Sequence, residues 1–287
     1  MTSGDAGAAA DPALAGAAAD PAPAGVAAGL APAGVAEPAP GPAAVVSLEA
    51  FIRAWTTLAA PPLIPEITLY LSHEEPTVLW EHTERETGRA DLPPPFWAYP
   101  WAGGIALARY LLDHPGQVAG RVVLDLASGS GLVAIAAARA GAAHVIAADI
   151  DPMSVAAIAL NAEANGTPVT VTGADLLTDP AAAAALLAGP ARSPDGPQVP
   201  PAGGDGAGVP APDLIVVGDA CYERRMAHRM LAFLRQARSS GAASLLGDPG
   251  RAYLPPAGLH ALASYAVPAW PGLEDTEVKH STVWELV

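Results

Sequence analysis

From Val122 onward, short apolar runs alternate with longer segments of helical character. The runs RVVLDL, HVIAAD, VTVTGAD, DLIVVGD and ASLLGD are typical of buried strands. The segments between them predict helices: LVAIAAARAG, MSVAAIALNAEANG, PAAAAALLAG and MAHRMLAFLRQARSSG. This alternation indicates βαβ units, which build a parallel sheet covered by helices on both faces.

The segments on either side of this core complete the pattern. GGIALARYLLDHPG predicts a helix that stops at Pro115-Gly116, and EHTERETG, Glu81 to Gly88, is interpreted as a solvated connection. After the fifth strand, SYAVPAW is a weak strand signal, and EVKHSTVWELV alternates apolar and polar positions. We therefore predict an α/β fold with a Rossmann-like seven-strand sheet, parallel except for the antiparallel C-terminal end.

Two segments rich in Ala, Pro and Gly do not fit the alternation. Residues 1–46 contain too little apolar surface to offset the entropy of ordering a chain, which is about 1–2 kcal/mol per residue. They predict a disordered tail, so that the folded domain comprises residues 47–287. A similar stretch at about 188–212 predicts a flexible insertion, because a long structureless loop has no place inside a core.

Charge and cysteine content exclude several classes of protein. The net charge of −15 repels phosphates and argues against a nucleic-acid partner. No Lys or Arg precedes Arg53, and no apolar run reaches the roughly 20 residues that cross a bilayer. Cys221 is the single cysteine, and no His, Asp and Glu set has the spacing of a metal site. We expect a cytoplasmic protein without a metal or a membrane partner.

The loop after the first strand carries the clearest chemical signal. In LDLASGSGLVA, Gly129 and Gly131 precede a helix, as in loops that bind a nucleotide. The sequence GSGLVA also fits a dinucleotide fingerprint, with Asp149 placed to hold ribose hydroxyls, whereas a P-loop is excluded because no Gly-Lys-Ser/Thr follows.

Three features favour S-adenosyl-L-methionine (SAM) over a dinucleotide. Asp125 ends the first strand, where a carboxylate repels a pyrophosphate but suits the cationic amino-acid part of SAM. Asp175 ends the third strand and can accept from an adenine amino group. The order of the elements is the third feature: a helix comes before the loop, and the chain ends in an alternating strand.

These motifs resemble those of class I SAM-dependent methyltransferases. LDLASGSG, AADIDP and GAD occur in the family's order, and the resemblance covers most of residues 93–287. It implies that SAM contacts Asp125, Gly129, Gly131, Asp149, Ile150 and Asp175. Ala127 stands where the family usually has its first glycine. We expect its methyl group to lie near the methionine part of SAM and its backbone to be ordinary.

A narrower resemblance lies outside the cofactor motifs. PPFWAYPWAGGIALARYLLDHP, GDACYE, GDPGRAYLP and STVWEL are similar to segments of the electron-transfer flavoprotein β-subunit lysine methyltransferases. That family implies methyl transfer to lysines of a folded protein partner, and its Asp-x-x-Tyr signature falls on Asp219 and Tyr222. Ribosomal-protein lysine methyltransferases share the cofactor motifs and remain the alternative, followed by small-molecule N- or O-methyltransferases, which need a lid over the substrate.

The residue types near the fourth strand suit transfer to an amine. We assign Asp219 to orienting the incoming ammonium or amine, and Tyr222 to lining the lysine channel. The alternative for Asp219 is that it caps the following helix. Among the aromatic residues at 96–101, we favour Trp97 and Trp101 as site residues near SAM, and Phe96 and Tyr99 could equally be packing residues.

The loop after the fifth strand, GDPGR, also lies at this edge of the sheet. It is interpreted either as a tight turn at Pro249-Gly250 or as a substrate loop that includes Asp248 and Arg251.

Overall fold

A computed structural model describes residues 46–189, 210–271, 273 and 277–287. Its helices are α1 (Leu48–Trp55), α2 (Pro76–Thr87), α3 (Ala102–Asp113), α4 (Leu132–Arg139), α5 (Pro152–Ala164), α6 (Pro180–Ala188) and α7 (Arg224–Ser239). Its strands are β1 (Thr57–Ala59), β2 (Leu69–Leu71), β3 (Val122–Leu126), β4 (His144–Ala148), β5 (Thr170–Thr172), β6 (Leu214–Gly218), β7 (Ala243–Asp248), β8 (Leu259–Pro268) and β9 (Val278–Leu286). Short 3-10 helices span Phe96–Ala98 and Pro115–Gln117.

A seven-strand sheet lies at the centre, with the strand order β5-β4-β3-β6-β7-β9-β8. The first five of these strands pair in parallel, and β9 pairs antiparallel with both β7 and β8. The predicted Rossmann-like sheet is therefore confirmed. β8 starts five residues before the predicted segment at Ser264, because it pairs along the whole of β9 with a bulge between Ala261 and Ala263.

The two faces of the sheet bury separate apolar clusters. Leu107 of α3, Val133 of α4 and Ile158 of α5 pack on one face, and Leu187 of α6 and Leu234 of α7 pack on the other. All five residues of β3 are buried, as expected for a central parallel strand with helices on both sides.

Three of the helices that follow strands, α5, α6 and α7, begin with side-chain caps. The Asp151 carboxylate accepts from the backbone N–H of Met153 at the start of α5, and Pro152 occupies its first turn. The Glu223 carboxylate accepts from the backbone N–H groups of Arg225 and Met226 at the start of α7. These caps fix where each helix begins beside the carboxyl ends of the strands.

Helix α3 approaches the sheet so closely that only glycine fits. A Cβ on Gly103 would lie 2.3 Å from the carbonyl oxygen of Gly247 and 2.8 Å from the backbone nitrogen of Asp219. A Cβ on Gly218 would lie 2.8 Å from the Cα of Gly104. The first turn of α3 therefore lies directly on the ends of β6 and β7.

An N-terminal layer of α1, β1, β2 and α2 precedes the sheet. The antiparallel pair of β1 and β2 is separate from the main sheet, and β2 is held to α5 by Asn161, whose Oδ1 accepts from the backbone N–H of Tyr70 at 2.8 Å. The segment Glu81 to Gly88, interpreted from sequence as a connection, is instead the second half of α2 and its C-cap.

The predicted tail and insertion lie almost entirely outside the described residues, which start at 46 and omit 190–209. The predicted helix before the insertion is confirmed as α6. Within the described ranges, no helix is long and apolar enough to cross a bilayer.

Candidate active site

A cleft of about 470 Å³ opens at the carboxyl edge of the sheet, in the size range of small-molecule sites. The loops that follow β3, β4, β5 and β6 form its walls, together with the aromatic segment before α3. Open α/β sheets bind ligands at this edge, where the strand order reverses. The following predicted site residues line the cleft: Trp101, Asp125, Ala127, Gly129, Asp149, Ile150, Asp175, Asp219 and Tyr222.

The loop after β3 has an unusual backbone. Ala127, Gly129 and Gly131 all have positive φ angles, of 56°, 57° and 82°. The expectation of an ordinary backbone at Ala127 is therefore wrong: this alanine adopts the left-handed conformation that normally selects glycine, at a cost of about 1–2 kcal/mol.

Gly131 does not line the cleft, although the sequence assigned it to the cofactor. It lies at the start of α4, where an added Cβ would come within 3.3 Å of Ile158.

The Asp125 carboxylate supports this loop through two hydrogen bonds. Its Oδ2 accepts from the Ser128 hydroxyl at 2.5 Å and from the backbone N–H of Ala134 at 2.9 Å, and the residue is almost fully buried. Burial raises the pKa of the carboxyl to about 7, and the nearby Asp149 acts in the same direction. A cation bound in the cleft would favour the charged form of this carboxyl.

Asp149 follows β4 and faces the loop from the opposite side. Its Oδ2 accepts from the backbone N–H of Gly129 at 2.9 Å, and its Oδ1 from that of Asp151 at 3.0 Å. Burial raises the pKa of both Asp149 and Asp151, the latter to about 6. A carboxylate has about four lone-pair sites, so Asp149 retains acceptors for a pair of hydroxyl groups in the cleft.

Asp175 lines the far end of the cleft and also supports its own turn. Its Oδ1 accepts from the backbone N–H groups of Leu177 and Thr178, and its Oδ2 accepts from the Thr178 hydroxyl. The hydrogen bond from Thr178 lowers the pKa of this carboxyl. The apolar side chains of Ile150 and Met226 line the cleft as well. This end therefore offers apolar walls and one remaining polar acceptor.

Asp219 lies at the carboxyl end of β6, with a left-handed φ of 56°. Its Oδ2 accepts from the backbone N–H of Gly103 at 2.9 Å, and its Oδ1 accepts from Arg251 Nε at 2.5 Å. The alternative role predicted for Asp219, capping of the following helix α7, is wrong, because Glu223 caps α7. Asp219 instead satisfies a donor in the first turn of α3, whose own N-cap residue, Trp101, makes no side-chain cap.

Tyr222 belongs to an aromatic cluster with Phe96 and Trp101. Its ring centroid lies 5.4 Å from that of Phe96, which is 5.8 Å from that of Trp101. Burial raises the pKa of the Tyr222 hydroxyl, although the side chain remains partly exposed. This cluster gives the cleft an aromatic wall beside Asp219.

The structure changes which aromatic residues belong to the site. Phe96, Tyr99 and Trp101 line the cleft. Trp97, predicted from sequence as a site residue, is fully buried and is not part of the lining. The physical reason is the 3-10 helix Phe96–Ala98, which turns Phe96 and Trp97 in different directions.

Several lining residues were not among the predicted site residues. Arg251 belongs to the GDPGR loop, and the interpretation of this loop as a tight turn is confirmed, because Asp248 Oδ1 accepts from the N–H groups of Gly250 and Arg251. Arg251 also lines the cleft, and the role of this loop in binding substrate stays a prediction. Arg225, Met226 and Arg229 share one face at the start of α7, and their helical spacing was the available signal.

These residues fit SAM. The left-handed loop lets backbone approach a ligand, Asp149 offers acceptors for ribose hydroxyls, and Asp175 with its apolar neighbours suits an adenine ring. The Asp125 and Asp149 carboxylates on either side of the loop suit a ligand that carries positive charge, and they do not suit a pyrophosphate.

Comparison with known proteins identifies relatives. A family model for ribosomal protein L11 methyltransferase matches residues 107–183. The electron transfer flavoprotein beta subunit lysine methyltransferase of Rattus norvegicus is 34% identical over 232 residues, covering 78% of this chain and 77% of the relative. Its counterparts in Xenopus laevis and Homo sapiens are 34% and 33% identical, covering 82% and 77% of this chain and 85% and 75% of theirs. A ribosomal protein L11 methyltransferase of Myxococcus xanthus (strain DK1622) matches only 25% of this chain, at 42% identity.

Proposed function

This chain belongs to the family of electron transfer flavoprotein beta subunit lysine methyltransferases, and we propose that it transfers methyl groups from SAM to lysine side chains of that flavoprotein subunit. The observation that carries the proposal is the similarity to lysine methyltransferases over 78% of the chain, which extends beyond the cofactor motifs shared with ribosomal protein L11 methyltransferases. The cleft supports it because a carboxylate and aromatic rings lie next to the cofactor loop.

The cofactor half of the proposal rests on the cleft residues already described. Asp149 would hold the ribose, Ile150 and Asp175 the adenine, and the loop from Ala127 to Gly129 the methionine part. When bound, SAM supplies a methyl group on a positively charged sulfur, which takes the bonding electrons and becomes a neutral thioether as an amine attacks.

The aromatic wall and Asp219 would bind the substrate lysine. A lysine ammonium has a pKa of about 10.4 in water and must lose its proton, because only the lone pair of the neutral amine can attack. Asp219 would accept a hydrogen bond from the amine and aim its lone pair. The rings of Phe96, Trp101 and Tyr222 would line the channel for the lysine stem and exclude water.

The net charge of −15 supports a protein partner that presents lysines, and it opposes binding to nucleic acid. Ribosomal protein L11 is the second candidate, because the family model over residues 107–183 carries its name.

Labelling with radioactive SAM tests the choice of substrate. The enzyme is incubated with the purified electron transfer flavoprotein of the same organism, with ribosomal protein L11 and with a mixture of small amines. We expect label on the beta subunit of the flavoprotein. Label on L11 or on a small amine, with none on the beta subunit, would contradict the proposal and leave the methyltransferase family intact.

A further inference from the structure

Arg251 lies next to Asp219 in the proposed lysine site. Its Nε donates to Asp219 Oδ1 at 2.5 Å, and its guanidinium carbon lies 5.8 Å from the centroid of the Trp101 ring. The side chain is 23% exposed and that of Asp219 only 4%, so water screens this pair weakly. Arg251 therefore adds a fixed positive charge where the substrate amine would meet Asp219.

The loop after β7 holds Arg251 in this position. The backbone N–H of Arg251 donates to Asp248 Oδ1 at 2.7 Å, and the backbone N–H of Tyr253 donates to the carbonyl of Cys221 at 3.1 Å. These bonds anchor the loop on both sides of Arg251 to β7 and to the segment that carries Asp219. This geometry indicates that Arg251 is a permanent partner of Asp219.

The charge of the pair decides which form of a lysine it favours. An unpaired Asp219 would attract the ammonium form and stabilise its proton, which prevents attack. With Arg251 in place, the pair is nearly neutral, and a second cation beside it is disfavoured. Arg is always protonated, so it lowers the proton affinity of a neighbouring amine without exchanging a proton itself.

We propose that Arg251 is a positioning residue that keeps the substrate lysine in its neutral, reactive form, by neutralising Asp219 and by holding a fixed cation beside the amine. This role rests on the proposed function. It explains why a carboxylate that must accept from an amine is already paired with an arginine.

Other titratable groups face this pair from the neighbouring elements. Cys221 and Tyr222 after β6 and Asp248 at the end of β7 interact electrostatically with Asp219. Tyr99, Asp149, Glu223, Arg225 and Arg229 line the same cleft.

The phenol and thiol groups do not imitate the titration of the amine at alkaline pH. Burial raises the pKa of the Tyr99 hydroxyl and of the Cys221 thiol to about 12, and it raises that of Tyr222 above its ordinary value. Burial also raises the pKa of the Asp149 and Asp248 carboxyls, and backbone hydrogen bonds lower that of Glu223. These carboxyls are present in the wild type and in every variant, so the pH dependence of the Arg251→Gln deficit relative to Arg224→Gln reports on the substrate amine.

The test compares Arg251→Gln and Arg251→Lys with the wild type. The methylation rate of the flavoprotein beta subunit is measured from about pH 6.5 to pH 9.5, with kcat and KM determined separately, and SAM affinity is measured by calorimetry. The matched control is Arg224→Gln, which removes the same charge from an exposed arginine that stacks on Tyr253 of the same loop and does not line the cleft.

For Arg251→Gln we expect kcat at pH 7.5 to fall at least tenfold, with KM unchanged or lower and SAM affinity unchanged. The deficit should shrink as the pH rises from the pKa of the amine in the wild-type site to its higher pKa in the variant, by up to about tenfold per pH unit. Arg251→Lys should recover much of the rate at pH 7.5, and Arg224→Gln should follow the wild-type profile.

A loss of rate that is equal at every pH, or one that comes with weaker SAM binding, would overturn this role and leave Arg251 as a structural residue. Unchanged activity of Arg251→Gln would overturn it as well. In both cases the wild type is active, which separates this failure from that of the proposed function, in which the wild type leaves the flavoprotein beta subunit unmethylated.

Discussion

Ala127 and Asp219 share a left-handed backbone at the carboxyl ends of β3 and β6, where the two halves of the site meet. Strained backbone often occurs at functional sites, because the surrounding structure must hold it. The short polar side chain of Asp tolerates this conformation better than that of Ala. The strain at Ala127 is therefore the one that a substitution can relieve.

We predict that Ala127→Gly stabilises the protein by about 1 kcal/mol, because glycine adopts φ of 56° without the steric cost of a Cβ. Denaturant unfolding with unchanged m-values would measure this gain. The matched control is Ala159→Gly at an exposed position in the interior of α5, which should instead destabilise by about 1 kcal/mol. A loss of stability in Ala127→Gly would show that the loop does not hold this conformation.

Asp219→Asn should reduce the methylation rate at least tenfold while SAM affinity stays nearly unchanged. The amide oxygen can still accept from the Gly103 N–H, so the contact with α3 survives, but the charge that pairs with Arg251 is lost. Asp219→Ala is a poorer test, because it leaves the buried N–H of Gly103 without a partner at a cost of about 1–3 kcal/mol.

Asp213→Asn is the matched control for this experiment. Asp213 precedes the other end of β6, where its Oδ2 accepts from the backbone N–H of Val122 at 2.9 Å, and it does not line the cleft. It should keep the wild-type rate. If Asp219→Asn were as active as Asp213→Asn, the orienting role of Asp219 would be refuted.

The Asp125 carboxyl should make the unliganded protein less stable as the pH rises. Its pKa is raised to about 7 in the folded state, so the folded protein holds this proton more tightly than the unfolded chain, with a pKa near 3.8. The contribution of Asp125 to stability is thus greatest at low pH and falls by up to about 1.4 kcal/mol per pH unit between these values, then stays level.

Asp125→Asn removes this contribution while keeping an acceptor for the N–H of Ala134. The difference in unfolding free energy between variant and wild type should therefore grow between about pH 4 and pH 7, in favour of the variant. Asp151 acts in the same direction in both proteins, whereas Asp149 is coupled to Asp125, so the difference reports the Asp125 carboxyl together with this coupling. A difference that does not vary with pH would contradict the raised pKa of Asp125.

Most of the site's polar residues could be predicted from sequence, because each of them lies at or shortly after the carboxyl end of a strand. Asp125, Asp149 and Asp219 all lie at one sheet edge once the strands are parallel. The pairing of Asp219 with Arg251 was not predictable, since it depends on the path of a loop. Neither was the burial of Trp97, which depends on how a 3-10 helix turns.

At the scale of elements, α5 connects the cofactor loop to the N-terminal layer through Asn161. This residue is fully buried; its Nδ2 donates to the carbonyl of Ser130 at 2.8 Å, and its Oδ1 accepts from the N–H of Tyr70. One turn later, Asn165 exchanges hydrogen bonds with the backbone of Thr68 without touching the loop.

Asn161→Ala should therefore lower both stability and SAM affinity. It leaves the carbonyl of Ser130 and the N–H of Tyr70 without partners, at about 1–3 kcal/mol for each buried group, and frees the end of the loop. Asn165→Ala, the matched control, should lower stability alone. Calorimetric titration with SAM and denaturant unfolding would separate the two effects, and equal SAM affinity in both variants would refute the coupling through Asn161.

The sequence predicted the sheet and its helices well because buried parallel strands are continuous apolar runs. It did not predict the N-terminal layer: β1 and β2 are only three residues long, and α2 carries mostly polar residues. The close approach of α3 was also missed, because the glycines that permit it, Gly103 and Gly247, are far apart in sequence.

At the scale of the whole molecule, the proposed cofactor residues and the proposed lysine site share one edge of the sheet. The loops after β3, β4 and β5 supply the cofactor residues, and the loops after β6 and β7, with the aromatic segment before α3, supply the lysine site. Helix α3 connects the two parts, since its first turn lies on β6 and β7 and donates to Asp219. The central claim is that this edge methylates lysines of the electron transfer flavoprotein beta subunit.

Peptide mass spectrometry of the purified electron transfer flavoprotein, after incubation with SAM and the wild-type enzyme, tests this claim most directly. The account predicts that lysine-containing peptides of the beta subunit gain the mass of one or more methyl groups. It also predicts that this gain is lost with Asp219→Asn and retained with Asp213→Asn. A beta subunit that stays unmodified while the enzyme methylates ribosomal protein L11 or a small amine would contradict it.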